Sequence, residues 1–93
     1  MKVKARVVFT RSSTGLVAVQ TSMGTITVLD LLGRGHVQSG DIFSGEMEAP
    51  GTQEIYNETR DEDLAVFVRE CGLNVQKAVE RHFAQLAPVI SNE

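Results

Sequence analysis

Lys2, Lys4 and Arg6 alternate with Val3, Ala5 and Val7, and Arg11 closes the same segment. In an extended chain this spacing sets three cations in a row about 13 Å long on one face. Such a row could follow nucleic-acid phosphates or meet an acidic protein surface. No Asp or Glu precedes Asp30, so residues 1–29 carry a formal +4. The remainder, with five bases against twelve acids, carries −7, and the chain as a whole −3. Single-strand nucleic-acid binding also needs aromatic rings on which bases stack. Here Phe9 falls on the inward side with Val3, Ala5 and Val7, and Tyr56 is the one tyrosine. A lysine-rich strand equally protects a sheet edge from pairing with another chain, and edge protection is the reading we favour. The candidate patch is therefore Lys2, Lys4, Arg6 and Arg11, with a protein favoured over nucleic acid as its partner.

The other reactive side chains do not assemble into a recognisable centre. His36, His82 and Cys71 lack the ligand spacing of a metal site, and no second thiol exists. His82 lies on an apolar helical stripe, where a hydrogen-bonded structural histidine is expected. His36 sits in a glycine-flanked loop and is expected to be exposed. Cys71 reads as a small buried apolar residue, because Glu70 beside it opposes thiolate formation. Gly33, Gly35 and Gly40 miss the dinucleotide fingerprint, since position 38 is Gln, and no Walker loop occurs. Asp61-Glu62-Asp63 lacks the glycine and distal glutamate of a calcium loop. Asn57-Glu58-Thr59 matches a glycosylation sequon, but no secretory signal accompanies it. Eight acids lie between Asp41 and Asp63 with Arg60 as the one base, a solvated stretch or a dock for a basic surface. The expectation is a chain without catalytic residues, metal or cofactor.

Ninety-three residues, 42% apolar and 23% charged, suit one globular domain over residues 1–90. A deep pocket walled on all sides is hard to build at this size. No apolar run approaches the length of about 18 residues that spans a bilayer. With one cysteine and no leader-like stretch, the expected address is the cytoplasm, with no membrane partner.

The elements that position these groups are mostly strands. Residues 2–10 alternate as a half-buried strand. Residues 12–15 break it, Leu16–Thr21 form a second strand, and Met23-Gly24 a tight turn. Thr25–Leu32 is a third, whose alternation slips at Leu29, Leu31 and Leu32, predicting a bulge or a strand end buried on both faces. Residues 54–57 and 64–70 fit a hairpin. The second segment also fits a helix, with Thr59 and Glu62 as a capping box and Leu64, Phe67, Val68 and Cys71 on one face; it would then resemble the paired helices of ubiquitin-associated-type domains. The strand is favoured because a sheet already exists to receive it. Asn74 caps a final helix over about residues 75–87, with Val75, Ala78, Val79, His82, Phe83 and Leu86 on its apolar stripe.

Between the third strand and the hairpin, residues 37–45 place a Gly40-Asp41 corner before a short apolar strand, with Gly45 suited to a sharp bend or a close backbone approach. This spacing resembles the strand corners of small closed β-barrels of the OB-fold type over residues 1–70. The resemblance implies a mainly β or α+β domain: a small antiparallel β-barrel of five or six strands over about residues 2–70 and one C-terminal α-helix. The function expected of it is a non-catalytic protein-interaction or accessory module. The alternative is an OB-like nucleic-acid-binding domain that uses the basic first strand.

Overall fold

The computed structural model describes residues 3–11, 13–33 and 35–83. Six strands form a closed antiparallel barrel: β1 Val3–Arg11, β2 Leu16–Thr21, β3 Ile26–Leu31, β4 Ile42–Gly45, β5 Gly51–Asn57 and β6 Glu62–Leu73. Around the barrel they run β1-β2-β3-β6-β5-β4, two three-stranded meanders joined edge to edge. A helical turn, α1 Val75–Ala78, follows and widens into a π-helical turn over Val79–Phe83. The small closed barrel with a short C-terminal helix is thus the architecture that the spacing implies. Residues 84–87 of the expected helix lie outside the described residues.

The disputed segment is a strand. β6 pairs with β5 along Glu54↔Ala65, Ile55↔Leu64 and Tyr56↔Asp63, and on its other side with β3. Thr59, the would-be cap of a helix, instead accepts the backbone N–H of Ile42 at 2.9 Å. Alternation in β6 explains the choice: Leu64, Val66 and Val68 point inward and are buried, while Ala65 and Phe67 point outward.

Closure removes the edge that the basic strand was expected to protect. β1 pairs with β2 from Ala5 to Arg11 and with β4 from Val3 to Arg6. Lys4 and Arg6 therefore project from an internal strand, and edge protection does not account for them.

The interior is filled by Ala5, Val7, Val17, Val19, Leu29, Phe43, Met47, Ile55, Leu64, Val66 and Val68. A second cluster lies outside the barrel wall: Leu16, Ala18, Ile26, Val28, Leu73, Ala78 and Phe83. β2 and β3 thus bury both faces, one inside the barrel and one under the helix, which is why their sequences read as nearly continuous apolar runs. In β3 the double burial covers Ile26–Leu29, not the end at Leu31 and Leu32. The pairing of β3 with β6 slips between Ile26 and Val28 and again between Val28 and Leu29. The surplus residues lie in β6, around Arg69 to Gly72, where Gly72 takes a φ of 72°. Cys71, expected to be buried, is half-buried in this irregular stretch.

A second irregularity sits in β1. Val7 pairs with Val19 but Phe9 pairs with Ala18, so two steps on β1 answer one on β2. The surplus residue reverses the alternation. Phe9, expected inward with Val7, instead faces out beside Ala18 and meets the Phe83 ring edge-to-face at 4.7 Å.

One buried carboxylate joins the two meanders. Asp41 Oδ2 accepts from Asn57 Nδ2 at 3.0 Å, from Arg60 Nε at 2.9 Å and from the Gln38 N–H at 3.1 Å. The Asp41 carbonyl accepts the Val7 N–H at 2.8 Å, and the Gly40 N–H donates to the Val7 carbonyl at 2.7 Å. Asn57 is fully buried, and its Oδ1 accepts the N–H groups of Thr59 and Arg60. That burial excludes glycosylation of Asn57 in the folded protein. At the other end of β4, a Cβ on Gly45 would lie 3.0 Å from Ile55 Cγ2 and 3.3 Å from its Cα, the close approach that the glycine permits.

Two predictions follow from this packing. Phe83→Ala is expected to destabilise the protein by about 3 kcal/mol, as for an aromatic removed from a packed site, measured by denaturant titration. Burial pushes the Asp41 carboxyl up, but the bonds from Asn57, Gln38 and Arg60 and the Arg60 charge outweigh it and hold it below its ordinary value of 3.8. A carboxyl depressed in the folded state contributes stability above the unfolded value, lost as pH falls below about 4 through the folded one. Asp41→Asn is therefore expected to be less stable than wild type at neutral pH, with the gap narrowing below about pH 4 in acid titrations of unfolding.

Candidate binding groove

The outward turn of Phe9 builds one wall of a groove between the helix and the outer faces of β1–β3. Val8 and Phe9 from β1, Ala18 from β2 and Ile26 from β3 form the barrel side; Val75, Ala78, Val79 and Phe83 form the helix side. The groove has a volume of about 390 Å³, and Gln20 is the one polar side chain among its walls. Val75 is 59% exposed, and Val8 42%, Val79 40% and Phe9 38%. These are large apolar side chains on the wet side of an otherwise packed cluster, an arrangement that marks interaction surfaces.

Two anchors fix the helix that makes this wall. Asn74 Oδ1 accepts the Lys77 N–H at 2.7 Å and so caps the first turn. Glu70, on β6, holds the far end: Oε1 accepts from His82 Nε2 at 2.9 Å, and Oε2 accepts from Arg81. The hydrogen bond from His82, the charges of Arg81 and His82 and the bond from Arg81 hold the Glu70 carboxyl below its ordinary value, against burial that raises it. His82 is thus a hydrogen-bonded structural residue with a side chain 12% exposed. Its Nδ1 is buried and has no partner among the described residues.

The structure divides the four cations of the candidate patch. Lys2 lies outside the described residues. Lys4 and Arg6 face outward from β1 beside a shallow hollow of about 330 Å³, lined also by Ala5, Gln20, Thr21, Ser22 and Ile42. Lys4 is held by Glu58 at 3.2 Å. Arg6 makes no hydrogen bond or ion pair among the described residues. Arg11 is half-buried past the bulge at the far end of β1, where its carbonyl accepts the N–H groups of Thr14 and Gly15. It lines neither the groove nor the hollow.

The basic hollow and the apolar groove share one wall residue. Gln20 lines both, and in the pairing of β1 with β2 it stands opposite Arg6, just as Ala18 stands opposite Phe9. Along β1, therefore, the outer surface changes from apolar at Phe9 to cationic at Arg6 over about 10 Å, three residues at the rise of a strand. Val8, Phe9, Val75 and Val79 are the functional candidates that the sequence reading missed. Periodicity assigns Val75 and Val79 to the buried stripe of the helix and Phe9 to the barrel interior.

No protein-family model matches the chain, nor does any curated protein or solved structure. Among the described residues, no group of three His, Cys, Asp or Glu is placed to hold a metal ion, and no helix is long and apolar enough to cross a membrane.

Glu70→Ala removes the acceptor for both Arg81 and His82. Hydrogen exchange over residues 75–83 is expected to accelerate while the amides of β1–β6 keep their protection, a local loosening of the groove wall read by mass spectrometry or NMR.

Proposed function

We propose that this domain is a non-catalytic protein-interaction module that takes an apolar segment of a partner into the groove between the helix and the outer face of β1–β3. The observation that carries this reading is the groove itself, walled by eight apolar side chains and Gln20, with Val75 and Val79 open to solvent. Burial of apolar side chains there would be driven by the surface removed from water, about 25 cal/mol per Å². Barrel closure leaves only short stretches of strand paired on one side among the described residues, such as β1 past the bulge and the end of β6, so the groove and not strand addition is the recognition surface of this reading. A cytoplasmic setting belongs to the same reading and rests on the single cysteine.

Nucleic-acid binding by the first strand is the weaker reading. Lys4 is already engaged by Glu58, and Arg11 is set apart from Arg6 by the bulge. Phe9 lies three residues from Arg6, and the Phe83 edge against its ring limits the room for a stacked base; Tyr56, two strands from Lys4 across Ser44, is engaged by Asp61.

The test is a random-peptide display selection on the wild-type protein and on Val79→Asp. Position 79 is 40% exposed, so the variant is expected to fold, which circular dichroism checks. Wild type is expected to enrich peptides with clustered large apolar residues, and Val79→Asp to lose them. Enrichment unaffected by the substitution would overturn the reading. So would micromolar binding of labelled single-stranded DNA or RNA at about 0.15 M salt that is lost in a folded Lys4→Ala/Arg6→Ala protein.

A further inference from the structure

The groove borders a cationic hollow across Gln20. None of its lining residues is acidic, and the hollow presents Lys4 and Arg6. The two cations differ in what they have left to give. Lys4 already faces Glu58. Arg6 is exposed and has no partner among the described residues, so its guanidinium retains the planar fork that binds a carboxylate through two N–H groups. The Gln20 amide beside it donates to the Gly24 carbonyl at 3.3 Å, which ties that side chain to the β2–β3 turn.

Resting on the interaction reading above, we propose that the partner segment is amphipathic in a defined sense. It carries large apolar side chains that fill the groove between Phe9 and Val79, and an Asp or Glu carboxylate about 10 Å away that pairs with Arg6. The charge pattern selects the partner's chemistry: an acid at that position gains a free guanidinium, a neutral residue gains nothing, and a lysine meets Arg6 and Lys4 as like charges. The ion pair lies at the rim, so it adds discrimination more than affinity. The apolar anchors supply the binding, and Arg6 sets the direction in which the segment lies.

The same display selection separates this inference from the reading beneath it when Arg6→Gln is added as a second target. Arg6 is exposed, so the substitution leaves the core untouched. Wild type is expected to enrich apolar clusters accompanied by Asp or Glu at a fixed spacing. Arg6→Gln is expected to enrich the same clusters without the acid. For a peptide recovered from wild type, replacing the acid by its amide is expected to weaken binding about two- to fivefold, the size of an exposed ion pair. That difference should shrink in high salt on wild type and be absent on Arg6→Gln. Apolar peptides with no acidic preference, lost on Val79→Asp, would overturn the carboxylate partner and leave the groove as an interaction site. No enrichment dependent on Val79 would overturn both. Dodecanoate supplies the same apolar chain and carboxylate as a free amphiphile. If it shifts the Val75, Val79 and Arg6 resonances while no peptide is enriched, the ligand is a small amphiphile and the protein partner is overturned. NMR contacts from Leu86 or Val89 into the groove of the unbound protein would also overturn it, since the chain would then fill its own site.

Discussion

The barrel closes through a carboxylate that water does not reach. Asp41 is 4% exposed, and an isolated charge there would cost several kcal/mol to desolvate. Asn57, Arg60 and the Gln38 N–H surround it and reverse that penalty. Each donor comes from a different piece of chain: the loop before β4, the end of β5, and the turn into β6. The Asp41 and Gly40 backbone meanwhile bonds Val7 on β1. The carboxylate thus fixes the corner whose backbone meets the first meander at Val7. With that junction set, the pairing of β1 with β4 can proceed from Ile42 to Gly45, where the absence of a Cβ lets β5 approach.

Closure at that corner has a consequence one strand away. β1 leaves β4 after Arg6 and is paired only with β2 from Phe9 onward. Freed from one neighbour, it accommodates a surplus residue, and Phe9 turns to the outer face. There it extends the apolar surface that Ala18, Ile26 and Val28 already present. The helix covers part of this surface and leaves the rest as the groove. Glu70 and Asn74 hold the helix at its two ends, and Ala78 and Phe83 pack it on the barrel wall between them, so polar contacts at the margins and apolar packing at the floor together set the groove.

How much of this was legible in the sequence differs by element, for physical reasons. The first strand was legible because strict alternation has one simple realisation in a half-buried sheet, whereas residues 64–70 fit a helical face as well and only the sheet upstream favours the strand. The Gly40-Asp41 corner and the Gly45 approach were readable because they rest on residue types with few other uses. Phe9 was misplaced because a bulge changes the facing of every later side chain without changing the composition. Val75 and Val79 were misplaced because periodicity gives the stripe of a helix but not how much of the stripe its neighbour covers. The basic patch was legible as charge but not as geometry. Lys4 finds Glu58 more than fifty positions away, a contact that only barrel closure creates.

The bulge in β1 also bears on how such a surface arises and disappears. Most routes to a new recognition surface exchange polar residues for apolar ones and risk exposing apolar patches before anything covers them. Here the register of β1 on β2 past Val7 decides which face the ring occupies, while the residue types stay the same. Removal of Val8 would leave Phe9 opposite Ala18 on the outer wall of a regular strand, whereas loss of the bulge at unchanged length would carry Phe9 opposite Val17 and into the barrel.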